Sequence, residues 1–345
     1  MYLQALSEAI GVSGDEAAVR KIVIDAIKDH VDDLRIDSLG TVTALKKGTG
    51  ENLPRVMLDA HMDEIGFMVT GIDSNGLLRF TSVGGVDDRI LPGLRVKVGK
   101  DFIPGVIIWT PIHHNRDQNV VKMKNLRIDV GATSKDGAMV TPGDRVAFDT
   151  QYMELGEKVL RGKAFDDRVG CSLLVDVLQG GPYAVDILAA FTVQEEVGLR
   201  GARVAAQTLN PDVAIAFEGT TAHDLPHPTA EPDDGLEPNP GCRLGDGPAI
   251  TFMDRSMITP PRLLAFLRET AEQNGITYQL KTKLGGGTDA GGIHTSLGGI
   301  PSAVISIPCR YIHSPAALLH RDDYDNALKL IQASLNAITF DVIRH

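Results

Sequence analysis

"DILAAFTVQEEVGLRGARVAAQTLNPDVAIAFEGT", residues 186–220, decides the fold. It opens on the apolar run "DILAAFTV", passes the adjacent Glu195 and Glu196, and continues at helical spacing through "EVGLRGARVAAQTL". A second apolar run, "DVAIAF", follows and ends at Glu218. Strands buried on both faces read as continuous apolar runs, and strand, helix and strand in this order predict a helix-flanked sheet. Neighbouring side chains on an extended chain point in opposite directions. The paired glutamates therefore cannot both face the same way.

The same alternation continues on either side. "DDRVGCSLLVDVLQ" and "PRLLAFLRETAEQNG" read as helices, "SAVISIP" as a buried strand, and "DYDNALKLIQASLNAI" as a terminal helix. Near the start, Val19, Ile22, Val23, Ala26, Ile27 and Val31 mark one face of a helix over residues 15–31, with Ser13 as its capping candidate. From 66 to 158 the texture changes: short strand-like pieces such as "GFMVTGI" and "LRVKVG" are separated by "DSNG", "LPG" and "TPGD". Many short strands with Gly and Pro punctuation predict a small β-barrel-like module. The fold class expected is α/β: a helix-flanked mixed sheet from residues 1–65 and 159–345, with a β-barrel-like domain inserted at 66–158. The Pro-rich, acidic stretch 222–241 reads as a long surface loop.

Composition narrows the function. Across 345 residues, 34 basic and 45 acidic side chains leave a net charge of −11. Nucleic-acid binding needs a basic face, so no nucleic-acid partner is expected. No apolar stretch approaches the roughly 20 residues that span a bilayer, and the N-terminus lacks signal-peptide features. A cytoplasmic protein with no membrane partner is expected. The 3 cysteines suggest no disulfide framework.

Chemistry gathers where strands end. "RVMLDA" leads to His61, "ILAAFTV" to Glu195 and Glu196, "DVAIAF" to Glu218 and "SAVISIPCRYI" to His313, while Asp166 opens a helix in "GKAFDDRVG". In open α/β sheets that edge is where ligands bind. Imidazole nitrogens and carboxylate oxygens suit Zn²⁺ or a similar divalent ion. His61, Asp166, Glu196, Glu218 and His313 are too many for one ion and fit two ions sharing a carboxylate. Two divalent ions against three carboxylates leave a charge that a bridging hydroxide neutralises, as in two-metal hydrolysis. Asp63, on the same face of an extended segment as His61, is placed to orient its ring. With Glu196 on metal, Glu195 is free to act as general base.

"LDAHMDEIGFMV", "RGKAFDDRVG", "TVQEEVGLRGA", "VAIAFEGTTAHD", "MDRSMITPP", "LGGGTDAGGIHTS" and "RYIHS" occur in this order between residues 58 and 314. Together they resemble the dinuclear metallo-aminopeptidases of the glutamyl aminopeptidase and tetrahedral (TET) aminopeptidase family, to which "GVSGDE" near the start is also similar. The resemblance implies that His61 and Glu218 hold one ion, Glu196 and His313 the other, and that Asp166 bridges them. It implies Glu195 as general base and Asp63 as the residue that orients His61. It also implies two divalent ions per subunit (zinc or cobalt, with manganese as a further choice), peptide substrates with a free N-terminus, and a homo-oligomer, dimer or dodecamer, built through the inserted domain. Phe165 stands where tryptophan is common in the family, and Glu218 where aspartate is frequent.

Other residues carry weaker signals. "LGGGTDAGG" lacks the GK[ST] of a phosphate loop and reads as backbone approaching substrate, with Asp289 as a contact or as part of a structural turn. Arg310 stands beside the His313 turn as a substrate contact or a packing residue. His113, His114, His223 and His227 read as surface residues, with one of the last two able to line the cleft. The function expected is a metal-dependent aminopeptidase. The alternatives are a related carboxypeptidase or deacylase, a glycoside hydrolase, or a non-catalytic assembly or peptide-binding protein.

Overall fold

A computed structural model of the chain describes residues 2–111, 113, 119–226 and 240–344. His114, His227 and most of the loop expected at 222–241 lie outside the described residues.

Four parallel strands form the centre of an 11-stranded mixed sheet, in the order Asp186–Thr192, Arg55–His61, Val213–Thr221 and Ser302–Arg310. Antiparallel strands extend it, Val42–Lys46 beside Asp186–Thr192 and Ala317–His320 beside Ser302–Arg310. The central strands are apolar on both faces because both are covered. Val56, Leu58 and Ala60 pack with the helices Phe165–Gln179 and Arg321–Ala337, whereas Met57 joins Ala202, Ala206 and Ile293 on the opposite side. Each fully buried Leu, Ile or Phe contributes on the order of 1.5–3 kcal/mol. A slip of one residue would exchange the two faces, so this double burial fixes the register. That register sets Thr192 opposite His61 and Glu218 opposite Ser306.

The insert is a closed six-stranded barrel, Gly66–Ile72, Leu78–Val83, Arg127–Asp129, Ile103–Ile108, Arg95–Val98 and Arg145–Phe148. Phe67 anchors its separate core, edge-on to Phe80 at 5.2 Å and to Phe148 at 5.6 Å. Gly66 marks the departure from the large sheet: a Cβ there would lie 2.6 Å from both Val12 and the Val146 carbonyl. The barrel ends earlier than its sequence texture suggests. Met153–Leu155, grouped with the module at 66–158, pairs with Val159–Arg161 in the large sheet through a turn in which Gly156 has φ +64°.

The helix expected over residues 15–31 runs over Ala17–Ile27, after a short helix at Leu3–Glu8, and buries Val19, Val23, Ala26 and Ile27. Ser13 does not cap it. Glu16 holds that position, and the Ser13 hydroxyl donates instead to Asp63 at 2.6 Å. Among the described residues, no helix is long and apolar enough to cross a membrane.

Candidate active site

The C-terminal edge of the four parallel strands brings the candidate ligands together. His61 is the last residue of its strand, and Asp166 lies in the first turn of Phe165–Gln179. Glu195 and Glu196 occupy the connection between Thr192 and the helix Arg200–Leu209. His313 follows the strand that ends at Arg310. Glu218 differs from its expected place: it sits inside the strand Val213–Thr221, not beyond its end. Its side chain reaches the site because alternate residues of a strand face the same way. The turns that aim these groups use left-handed backbone at Gln194 (φ +59°) and His313 (φ +56°), conformations uncommon outside glycine that concentrate at functional sites.

Two triads result. His61, Asp166 and Glu218 present ligand atoms within 4.8 Å of one another, as do Asp166, Glu196 and His313, so Asp166 belongs to both. His61 Nε2 lies 3.3 Å from Asp166 Oδ1 and 3.6 Å from Glu218 Oε2. His313 Nε2 lies 3.2 Å from both Asp166 Oδ2 and Glu196 Oε1. Glu195 stands outside both triads, on the cavity wall, with Oε2 4.0 Å from His61 Nε2.

The donor set fits a pair of cations. His61 Nδ1–H donates to the Asp63 carbonyl and His313 Nδ1–H to the Gly85 carbonyl, each at 3.1 Å. Each ring therefore turns Nε2, the atom a metal would take, toward carboxylate oxygens. Asp166 Oδ1 and Glu196 Oε1 are buried there without a hydrogen-bond donor. Burial pushes Glu195 up to about 11 and Glu218 up to about 8, with neighbouring carboxylates adding to the effect. Burial disfavours charge on the rings, but Asp166 and Glu196 outweigh it at His313 and raise it to about 11. Such a site stabilises positive charge placed among these oxygens.

Asp63 does more than face a ring. Its Oδ1 is 3.5 Å from His61 Nδ1. The carboxylate also accepts the backbone N–H of Glu195 at 3.0 Å and that of Glu196 at 3.2 Å. Burial works against ionising Asp63, but His61, Ser13 and the Glu195 amide outweigh it and hold the group below its ordinary value.

The two residues expected to touch substrate are engaged elsewhere. Asp289 is buried behind Glu218. Its N–H donates to Glu218 Oε1 at 3.2 Å, and its Oδ2 accepts from Thr192 at 2.6 Å. Arg310 spends its guanidinium on Asp224, with bonds of 2.9 and 2.7 Å. The cavity over the triads, about 640 Å³, is lined instead by Lys281, Lys283, Leu284, Thr220 and His223, together with glycines 285–287. His113 is exposed on the barrel.

Gly85 is not singled out in the sequence, and Ser13 reads there only as a helix cap, not as part of the site. Neither has a side chain that advertises chemistry, although "GVSGDE" was a usable signal for Ser13.

Comparison with known proteins identifies the family. Residues 40–330 match the family described as M42 glutamyl aminopeptidase. An aminopeptidase from the archaeon Desulfurococcus kamchatkensis is similar in structure with a TM-score of 0.91 and 38% identity, over 99% of this chain and 95% of that one. The Pyrococcus horikoshii TET1 peptidase, which assembles into a tetrahedron or a large octahedral shell, is 34% identical with a TM-score of 0.85, over 97% and 98% of the two chains. A Thermotoga maritima protein described as an endoglucanase is 40% identical with a TM-score of 0.82, over 99% and 98%. With the family match covering most of its length and these relatives covering nearly all of it, the chain belongs to the M42 glutamyl aminopeptidase family and is a peptidase.

Proposed function

We propose that the protein removes N-terminal residues from peptides at a two-metal centre. The observation that carries this reading is the pair of triads joined by Asp166, with Glu195 outside both and on the cavity wall. His61 and Glu218 would hold one divalent ion, Glu196 and His313 the other, and Asp166 would be shared between them. When bound, the ions would lower the pKa of an attacking water and polarise the scissile carbonyl. Glu195 would take the proton from that water and deliver it to the leaving amine. A carboxyl held near 11 by burial is protonated at neutral pH. Positive charge in the adjoining triads is what returns it to the carboxylate a base requires. Asp63 would orient His61 through its carbonyl and hold the backbone of both glutamates.

Lys281 and Lys283 line the same cavity, and they favour acidic N-terminal side chains over basic ones. The barrel domain would serve assembly into a dimer or dodecamer and control access to the site. Support for assembly comes from the shells formed by the similar TET1 peptidase and from the family resemblance. A cytoplasmic location goes with this reading.

A glycoside hydrolase would use two carboxyl groups facing across a bond, roughly 5–9.5 Å apart. It gives no role to His61 or His313, each of which sits among the carboxylates. The deciding experiment takes apo-protein, adds Zn²⁺, Co²⁺ or Mn²⁺, and assays aminoacyl reporters beside N-acylated peptides and a β-glucan. Metal-dependent release from free N-termini alone is expected. Cleavage confined to N-acylated peptides would point to the deacylase alternative, and glucan hydrolysis that survives chelation to the glycosidase. Absence of both bound metal and turnover would leave a binding protein.

A further inference from the structure

The Asp63 carboxylate holds the turn that carries both glutamates, and the residue that fixes Asp63 in turn is Ser13. Its hydroxyl donates to Asp63 Oδ2 at 2.6 Å, and both side chains are buried. This is the shortest of the hydrogen bonds on that carboxylate. A short bond from a neutral hydroxyl to an ionised oxygen belongs to the strong, charge-assisted class. The other two donors, the amides of Glu195 and Glu196, belong to the turn being positioned. Ser13 is therefore the external anchor.

Ser13 is itself gripped from two sides. Its segment lies against Glu64, with Val12 bridged to that residue and Gly11 N–H donating to Glu64 Oε1 at 3.0 Å. From the barrel, Arg145 at the start of the closing strand donates Nε–H to the Ser13 carbonyl at 3.1 Å. A continuous line of hydrogen bonds runs from the barrel wall through Ser13 and Asp63 to the backbone of Glu195 and Glu196.

We propose that Ser13 is a positioning residue, whose hydroxyl fixes the Asp63 carboxylate and through it sets Glu195 and Glu196 against the two histidines. The inference rests on the roles given to those glutamates above. Outer residues that orient a metal site typically affect activity or affinity by about 10–100-fold. Ser13 forms no part of the cavity wall, so its loss should fall on turnover and not on substrate binding.

The test compares wild type, Ser13→Ala and Ser13→Thr, each reconstituted with Co²⁺. Ser13→Ala is expected to lower kcat about tenfold, leave KM within about twofold, and alter the visible cobalt spectrum as Glu196 shifts. Ser13→Thr keeps the hydroxyl and is expected to restore at least about half of both signals. Wild-type kcat and an unchanged spectrum in Ser13→Ala would overturn the proposal, whatever happens to the melting temperature. Should Ser13→Ala fail to fold, Ser13→Cys takes its place, replacing the hydroxyl by a weak thiol donor on Asp63, with the same turnover loss and spectral change expected and an unchanged enzyme overturning the idea. If wild type cleaves no aminoacyl substrate, the functional reading falls, while the spectral comparison still decides the role of Ser13.

Discussion

Lys163 Nζ lies 2.7 and 2.8 Å from the two carboxylate oxygens of Glu64, and both side chains are buried. Arg168, equally buried, donates to the Met62 and Ala9 carbonyls at 2.8 and 3.0 Å. This charged cluster ties the N-terminal segment to the His61 turn from behind. Removing one partner of a buried pair leaves an uncompensated charge and costs roughly 3–5 kcal/mol. Glu64→Gln is expected to lose stability on that scale in urea denaturation. A change below about 1 kcal/mol, the size typical of surface pairs, would show that the cluster behaves as a solvated pair.

The same lysine gives a signature in pH. Burial holds Lys163 down to about 8, against an ordinary 10.5, despite the attraction of Glu64. Between these values the unfolded chain carries a proton that the folded protein has released, so the Lys163 contribution to stability rises with pH across that window. It is fully present above 10.5 and lost as pH falls through 8. Buried Cys171, Cys309 and Tyr324, raised by burial, pull the other way in any variant that retains them. The readout is therefore the stability of wild type minus that of Lys163→Met, which should widen from pH 8 to 10. A constant offset would mean that the lysine does not titrate in this range.

Glu195 and Glu196 should separate cleanly under substitution. Glu195→Gln is expected to keep its metal content, measured by elemental analysis, while kcat falls about 10²–10⁴-fold. Glu196→Gln should lose part of its metal. The reverse pattern would exchange the two roles and keep the reaction.

Gly219 offers a test of the shared carboxylate. A Cβ there would lie 2.9 Å from Asp166 Cβ and 3.0 Å from its Cα, and atoms so close must move. Gly219→Ala is expected to weaken metal binding at least about tenfold by displacing Asp166, the group common to both triads. Gly298→Ala, where a Cβ meets nothing within 4 Å, serves as the control. Equal metal affinity in the two variants would show that the strand and helix separate without disturbing the ligands.

Charge at the cavity wall should set substrate preference. Lys281→Glu is expected to lower kcat/KM for N-terminal acidic residues by about tenfold or more, roughly 1.4 kcal/mol of transition-state stabilisation. Neutral substrates should change by less than about threefold. Equal losses on both would place Lys281 in the architecture of the cavity and not in its selectivity.

Much of the site was legible because parallel strands deliver their C-terminal ends to one edge, so a His or Glu following each apolar run implied convergence. The barrel was legible from its turn punctuation. What stayed hidden depends on partners distant in sequence. Arg310 beside His313 looked free to meet substrate, but its mate Asp224 lies 86 residues away. Asp289 sat in a glycine-rich stretch that does line the cavity, yet its side chain turns inward to Thr192. Ser13 carried the local pattern of a helix cap, and a buried carboxylate 50 residues on claimed its hydroxyl. Periodicity reveals faces and edges. It does not say which of two polar groups wins a third.

The carbonyl of Gly85, on the barrel side of the chain, holds the imidazole of His313 on the other. The insert is therefore no interchangeable cartridge: a transplanted barrel with a differently shaped loop could leave all five candidate ligands in place and still turn one ring out of line. The short path of "SVGGV" thus belongs to the candidate site as well as to the barrel.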